Sequence, residues 1–148
     1  MRIALGADHA GVALKANIKQ LLDERGVAYQ DFGTNTTDSV DYPDFAARVA
    51  HEVAGGAFDR GILFCGSGLG MAMAANKVAG IRAAAVGDEQ AARLSREHND
   101  ANVLALGERL TPADAARRIV AAFLETPFAG GRHERRVQKI NALDQRPS

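Results

Sequence analysis

The stretch Cys65-Gly66-Ser67-Gly68-Leu69-Gly70 places a thiol, a hydroxyl and three alternating glycines directly behind the apolar run Ile62-Leu63-Phe64. Residues 71–77 follow as a small-residue stretch that reads as a helix. A buried strand, a glycine loop and a helix start, in that order, build an anion site. Glycines let backbone approach a ligand closely, and the free N–H groups and dipole of a helix start favour negative charge. The same field favours thiolate, the reactive form of cysteine. We therefore read Cys65, the only cysteine of the chain, as a chemical residue; the plain alternative is a small buried hydrophobe at a strand end. Spacing excludes two other chemistries. The dinucleotide fingerprint needs its third glycine one position later and sits on the first βα unit. A cysteine phosphatase loop needs an arginine six residues after the cysteine, where this chain has Met71.

Asp8-His9 sets two titratable groups in tandem behind another apolar run, with capping of the following helix as an equal alternative. Gly6 and Gly11 have the glycine spacing of a phosphate-binding P-loop, but Val12-Ala13 stands where Lys-Ser/Thr is required. His98-Asn99 lies where a helix should end, a position at which a histidine can serve only as a charge partner for the helix terminus. Arg132 and Arg136 are four apart and share a helix face. They suit bidentate phosphate binding or form a solvated basic face, and Gly130-Gly131 before them is a flexible joint. The four histidines, His9, His51, His98 and His133, have no metal-ligand spacing, and His51 reads as surface.

The chain has 148 residues, 47% apolar and 24% charged, and reads as one domain with room for a proper core. Lys plus Arg and Asp plus Glu balance at 18 each, so no long-range field argues for nucleic acid or an anionic membrane. A single cysteine excludes an intrachain disulfide and fits a reducing cytosol. No stretch has transmembrane length, and the N-terminus is charged too early for a signal peptide.

To position these residues the chain must alternate strands and helices. Strands are expected over 2–7, 27–32, 61–64, 81–86 and 102–106. Helices are expected over 10–25, from Tyr42-Pro43 to Gly55, through Val78, over 88–97, from Thr111-Pro112 to about Leu124, and over 133–143. Thr111 is expected to cap the fifth helix, with Pro112 in its first turn, and 146–148 to fray. Such alternation predicts an α/β fold with a mostly parallel sheet and helices on both faces. Ligands bind beyond the carboxyl ends of such strands, at a switch in strand order. Asp8-His9, Cys65-Gly66-Ser67 and Gly87-Asp88 fall at such ends.

Taken together and in order, these clusters resemble the type B ribose-5-phosphate isomerases, a family that includes galactose-6-phosphate isomerase subunits. The matching stretches are Gly6-Ala7-Asp8-His9-Ala10-Gly11, Asp41-Tyr42-Pro43, the segment from Gly61 to Gly70, Ala74-Ala75-Asn76-Lys77, Gly80-Ile81-Arg82-Ala83, the segment from Ser95 to Leu104, and Gly130-Gly131-Arg132-His133. The resemblance implies a three-layer α/β/α sandwich with a five-stranded parallel, Rossmann-like sheet. It also implies cofactor-free aldose–ketose isomerisation of a sugar phosphate through a cis-enediolate, in pentose phosphate metabolism. Cys65 is similar to the base that moves the proton between C2 and C1, and Ser67 to the residue that handles protons on the sugar oxygens. The amides of Gly66, Gly68 and Gly70 would form the hole for the enediolate oxygen. His98, assisted by Asp8, would open the ring. His9, Arg132 and Arg136 match phosphate contacts, and Asn99 and Tyr42 match sugar contacts. The resemblance implies a homodimer or tetramer in which His98, Asn99 and the two arginines reach a neighbour's Cys65, the last helix packing on that neighbour. Ribose 5-phosphate is the expected substrate. An isomerase of four-carbon (erythrose/erythrulose 4-phosphate) or six-carbon (allose/galactose 6-phosphate) substrates is the alternative, with loop 34–40 the place where members would differ. A non-catalytic sugar-phosphate sensor would need the arginines but not Cys65.

Overall fold

The computed structural model describes residues 1–144, so the expected fraying over 146–148 lies outside the described residues. In chain order the elements are β1 (Arg2–Ala7), a 3-10 turn (His9–Gly11), α1 (Val12–Glu24), β2 (Ala28–Asp31), α2 (Tyr42–Ala54) and β3 (Arg60–Cys65). There follow α3 (Leu69–Ala75), β4 (Ala83–Ala85), α4 (Glu89–Glu97), β5 (Val103–Gly107), α5 (Ala113–Glu125) and α6 (Arg132–Ala142). All strand pairs are parallel, in the order β2-β1-β3-β5-β4.

Side chains alternate across a strand, and the three central strands are apolar on both faces. Ile3, Leu5, Ile62, Phe64, Leu104 and Leu106 pack against α1 and α5 on one side. Ala4, Leu63, Cys65, Val103 and Ala105 pack against α2 and α3 on the other. That is the α/β/α sandwich expected from the alternation and the resemblance, and its parity puts Cys65 on the α2–α3 side. From β1 the chain leaves toward β2 over one face; from β3 it leaves toward the far edge over the other. The carboxyl ends of β1 and β3 therefore flank a switch in strand order, where loops part and leave a crevice.

Element ends depart from expectation where local bonds intervene. Helix α1 begins at Val12, because the Asp8 carboxylate accepts the Ala10 amide (2.9 Å) and holds the preceding 3-10 turn. Helix α3 begins at Leu69, because Gly68 takes φ +80°, a left-handed turn few other residues adopt. It stops after Ala75, where the Asn76 side chain donates to the Ala83 carbonyl (2.9 Å) and accepts its amide (2.8 Å). That pairing occupies an edge of β4, which is shorter than the expected 81–86 strand and pairs with β5 alone. Thr111 does not cap α5. The cap position falls to Pro112, without a side-chain hydrogen bond, and Thr111 is buried with its amide on the Gly107 carbonyl (2.9 Å).

The turn after β5 supports the loop after β3. The amides of Glu108 and Arg109 donate to the carbonyls of Cys65 (2.9 Å) and Gly66 (3.0 Å). This requires contact at Gly107, where an added Cβ would lie 2.5 Å from the Ser67 carbonyl carbon. Gly107→Ala should therefore push the Ser67 loop from its seat and cost about 1–3 kcal/mol. Thermal unfolding checks the stability, and loss of turnover larger than the loss of folded protein checks the displacement.

Candidate active site

One cavity of about 410 Å³ opens at the carboxyl ends of β1 and β3, lined by Asp8, His9, Tyr42, Cys65, Gly66, Ser67 and Gly70, with Arg109 and Leu110. Cys65 is 5% exposed, and its Sγ accepts the Gly68 amide at 3.1 Å. A backbone N–H is thus aimed at the sulfur. The Ser67 hydroxyl accepts the Leu69 amide at 3.2 Å. The amides of Gly66, Ser67 and Gly70 find no acceptor among the described residues, leaving donors in the cavity wall. Asp8 is buried, and Oδ1 is taken by the Ala10 amide. Asp8 thus caps the turn and also lines the cavity. His9 Nδ1 accepts the Val40 amide at 3.2 Å, so its proton sits on Nε2.

The remaining expected residues gather elsewhere. Helix α4 runs back against the strands, so His98, which caps its end, lies near the amino edge of the sheet. The Arg82 guanidinium donates to the Asn99 carbonyl (3.0 Å) there, and Asn99 borders a separate cavity with Arg82, Ile140 and Leu143. A six-residue strand, about 20 Å at ~3.3 Å per residue, separates that edge from Cys65. The His98 ring stacks on His133, centroids 4.2 Å apart and 14° from parallel. His98, Asn99, Arg132 and Arg136 are all exposed. Desolvation, then His98, Arg132 and Arg136, push the His133 imidazole below its ordinary value. Gly87 and Asp88, the third polar cluster of the sequence, border another cavity with Arg93 and Arg118.

The sequence reading passed over Arg109. Its guanidinium lies over the glycine loop, 3.2 Å from where a Gly66 Cβ would be, and it makes no ion pair among the described residues. The available signal was position: a cation three residues past the apolar run Val103-Leu104-Ala105-Leu106 stands at a strand's carboxyl end, as Asp8 does. Among the described residues no helix is long and apolar enough to cross a membrane, and no cluster of three or more His, Cys, Asp or Glu could hold a metal ion.

Known proteins share the sequence and the fold of this chain. The chain is 50% identical to ribose-5-phosphate isomerase B of Escherichia coli, covering 98% of this chain and 97% of the relative. The solved structure of Clostridium thermocellum ribose-5-phosphate isomerase B superposes with a TM-score of 0.97 at 52% identity, covering 98% of each chain. The Mycoplasma genitalium enzyme, solved with bound ribulose 5-phosphate, superposes with a TM-score of 0.94 at 42% identity, covering 99% of this chain and 97% of that one. The profile of the Ribose/Galactose Isomerase family matches residues 3–140, and the chain belongs to that family.

Proposed function

We propose that the protein is a sugar-phosphate aldose–ketose isomerase that interconverts ribose 5-phosphate and ribulose 5-phosphate. One observation carries the reading: a buried thiol, free backbone amides, a hydroxyl and an Asp-His pair share one cavity at the β1–β3 switch point. In the aldose-to-ketose direction Cys65 takes the proton from C2 and charge builds on the C1 oxygen. The amides around Gly66 and Gly70 stabilise that oxygen, and such preorganised donors are usually the largest catalytic contribution. Ser67 carries a proton from the C2 oxygen to the C1 oxygen, and Cys65 returns its proton to C1. His9, with its Nε2 proton outward, and Arg109 hold the phosphate, a remote handle that orients the reacting carbons. Tyr42 meets the sugar.

The second cluster completes the site from a neighbouring subunit. His98, with Asp8, opens the ring, Asn99 meets the sugar, and Arg132 and Arg136 add to the phosphate grip. Two observations support this: these groups lie a strand's length from their own Cys65, and the cavity is lined by exposed Leu110 (68%), with exposed Leu69 (54%) next in sequence to its Gly70 and Met73 (68%) one turn further along α3. A two-fold dimer would cover that apolar rim and bring each cluster to the other chain's cavity. We place the enzyme in the cytoplasm, where its free thiol stays reduced.

Conversion of four-, five- and six-carbon aldose phosphates, assayed side by side without added metal, tests the reading. The highest kcat/KM is expected on ribose 5-phosphate. A preference for another chain length would keep the chemistry and change the substrate. Tight binding of all three without turnover would make the protein a sensor.

A further inference from the structure

Lys15 has no part in the chemistry above, yet it is among the largest fully buried side chains, 1% exposed within α1. A buried ammonium needs partners for all of its protons. It has three: Asp31 Oδ1 at 2.7 Å, the Thr34 carbonyl, and Asn35 Oδ1 at 3.0 Å. Burial pushes its pKa down, outweighing the pull of Asp31. Asp31 in turn accepts the Gly33 amide (2.8 Å) and Lys19 (3.0 Å). Two of the three Lys15 acceptors thus lie at the start of loop 33–41. The same loop ends at the cavity: the Val40 amide holds His9 Nδ1, and Asp41 leads into α2, whose first residue is Tyr42. Between these anchors residues 36–39 are exposed.

We propose that Lys15 is a positioning residue for substrate recognition. It ties down one end of loop 33–41 from beneath, so that the other end fixes the His9 tautomer and seats Tyr42. The inference rests on the phosphate role given to His9. A salt bridge that only joined α1 to the sheet would have no reason to spend two of three bonds on the loop. Lys19 supplies the contrast: it shares Asp31 but has no bond to the loop.

The test measures kcat and KM on ribose 5-phosphate for Lys15→Met, Asn35→Ala and Lys19→Ala, with the His9 tautomer read by 15N NMR of the ring nitrogens. Lys15→Met should raise KM about tenfold with kcat within roughly threefold, and His9 should change from one tautomer to a mixture. Asn35→Ala, which leaves the buried ion pair in place, should raise KM about threefold with an unchanged melting temperature. Lys19→Ala should leave KM as it is. A folded Lys15→Met enzyme with lower Tm but wild-type KM and His9 tautomer would make the lysine a structural clamp and overturn the proposal. If Lys15→Met fails to fold, Asn35→Ala decides, and an unchanged KM there overturns it equally. His9→Ala is run in parallel. If its KM is unchanged, the phosphate role of His9 fails, while the tautomer measurement still reads the tether.

Discussion

Replacing Cys65 with alanine should reduce kcat/KM by at least about 100-fold, since a positioned general base contributes roughly 10²–10⁴, and should leave the fold in place. The side chain is small and packs at the end of β3, so the loss there is one sulfur and the acceptor for the Gly68 amide, about 1–3 kcal/mol. Thermal unfolding should report a shift of a few degrees and kinetics a near-complete loss. Cys65→Ser is the sharper variant. It keeps an acceptor for Gly68 but offers a hydroxyl, a far weaker base at neutral pH, so it should be nearly as inactive while losing less stability. Substrate binding should survive in both, because the phosphate contacts do not involve position 65. If either variant kept more than about a tenth of wild-type turnover, the base would have to be sought elsewhere in the cavity, with Asp8 the next carboxylate in line.

The cavity wall was legible because its residues sit where the pattern itself changes. Asp8-His9 and Cys65-Gly66-Ser67 interrupt apolar runs abruptly, and in a parallel α/β sheet such interruptions mark carboxyl strand ends. The five strands and the faces of the helices followed from the same alternation. Three features were hidden for separate physical reasons. Lys15 sits beside Leu14 in an otherwise polar–apolar rhythm, and a lysine there reads as solvated; its burial depends on Asp31 and loop 33–41, contacts that sequence spacing does not encode. Arg109 follows a strand whose end carries no glycine loop, so only its place past the carboxyl end of β5 marks it as a cavity residue. Thr111 had the right residue type for a cap, but its amide is drawn into the tight turn at Gly107, and the backbone at Pro112 starts the helix without it. The separation of His98 from Cys65, by contrast, was contained in the alternation. A helix that leaves a carboxyl end must finish near the amino edge, so a residue at the end of α4 cannot face its own β3 loop.

That separation leads to the second large effect, subunit complementation. Cys65→Ala and His98→Ala should each be nearly inactive on the ring-closed aldose phosphate, the first lacking the base and the second the ring-opening group. When the two variants are co-expressed with different affinity tags and the hybrid is purified through both, one of its two sites should pair an intact Cys65 with an intact His98, and the other should lack both. The hybrid should then recover roughly half of wild-type activity per dimer, against almost none for either parent. If each chain instead built its site alone, every site in the hybrid would carry one lesion and the mixture would stay as inactive as its components. The same design carried out with Cys65→Ala and Asp8→Asn is the internal control. Those residues border one cavity of one chain, so that hybrid should recover nothing, and any recovery would mean that subunits exchange segments rather than share a site across an interface.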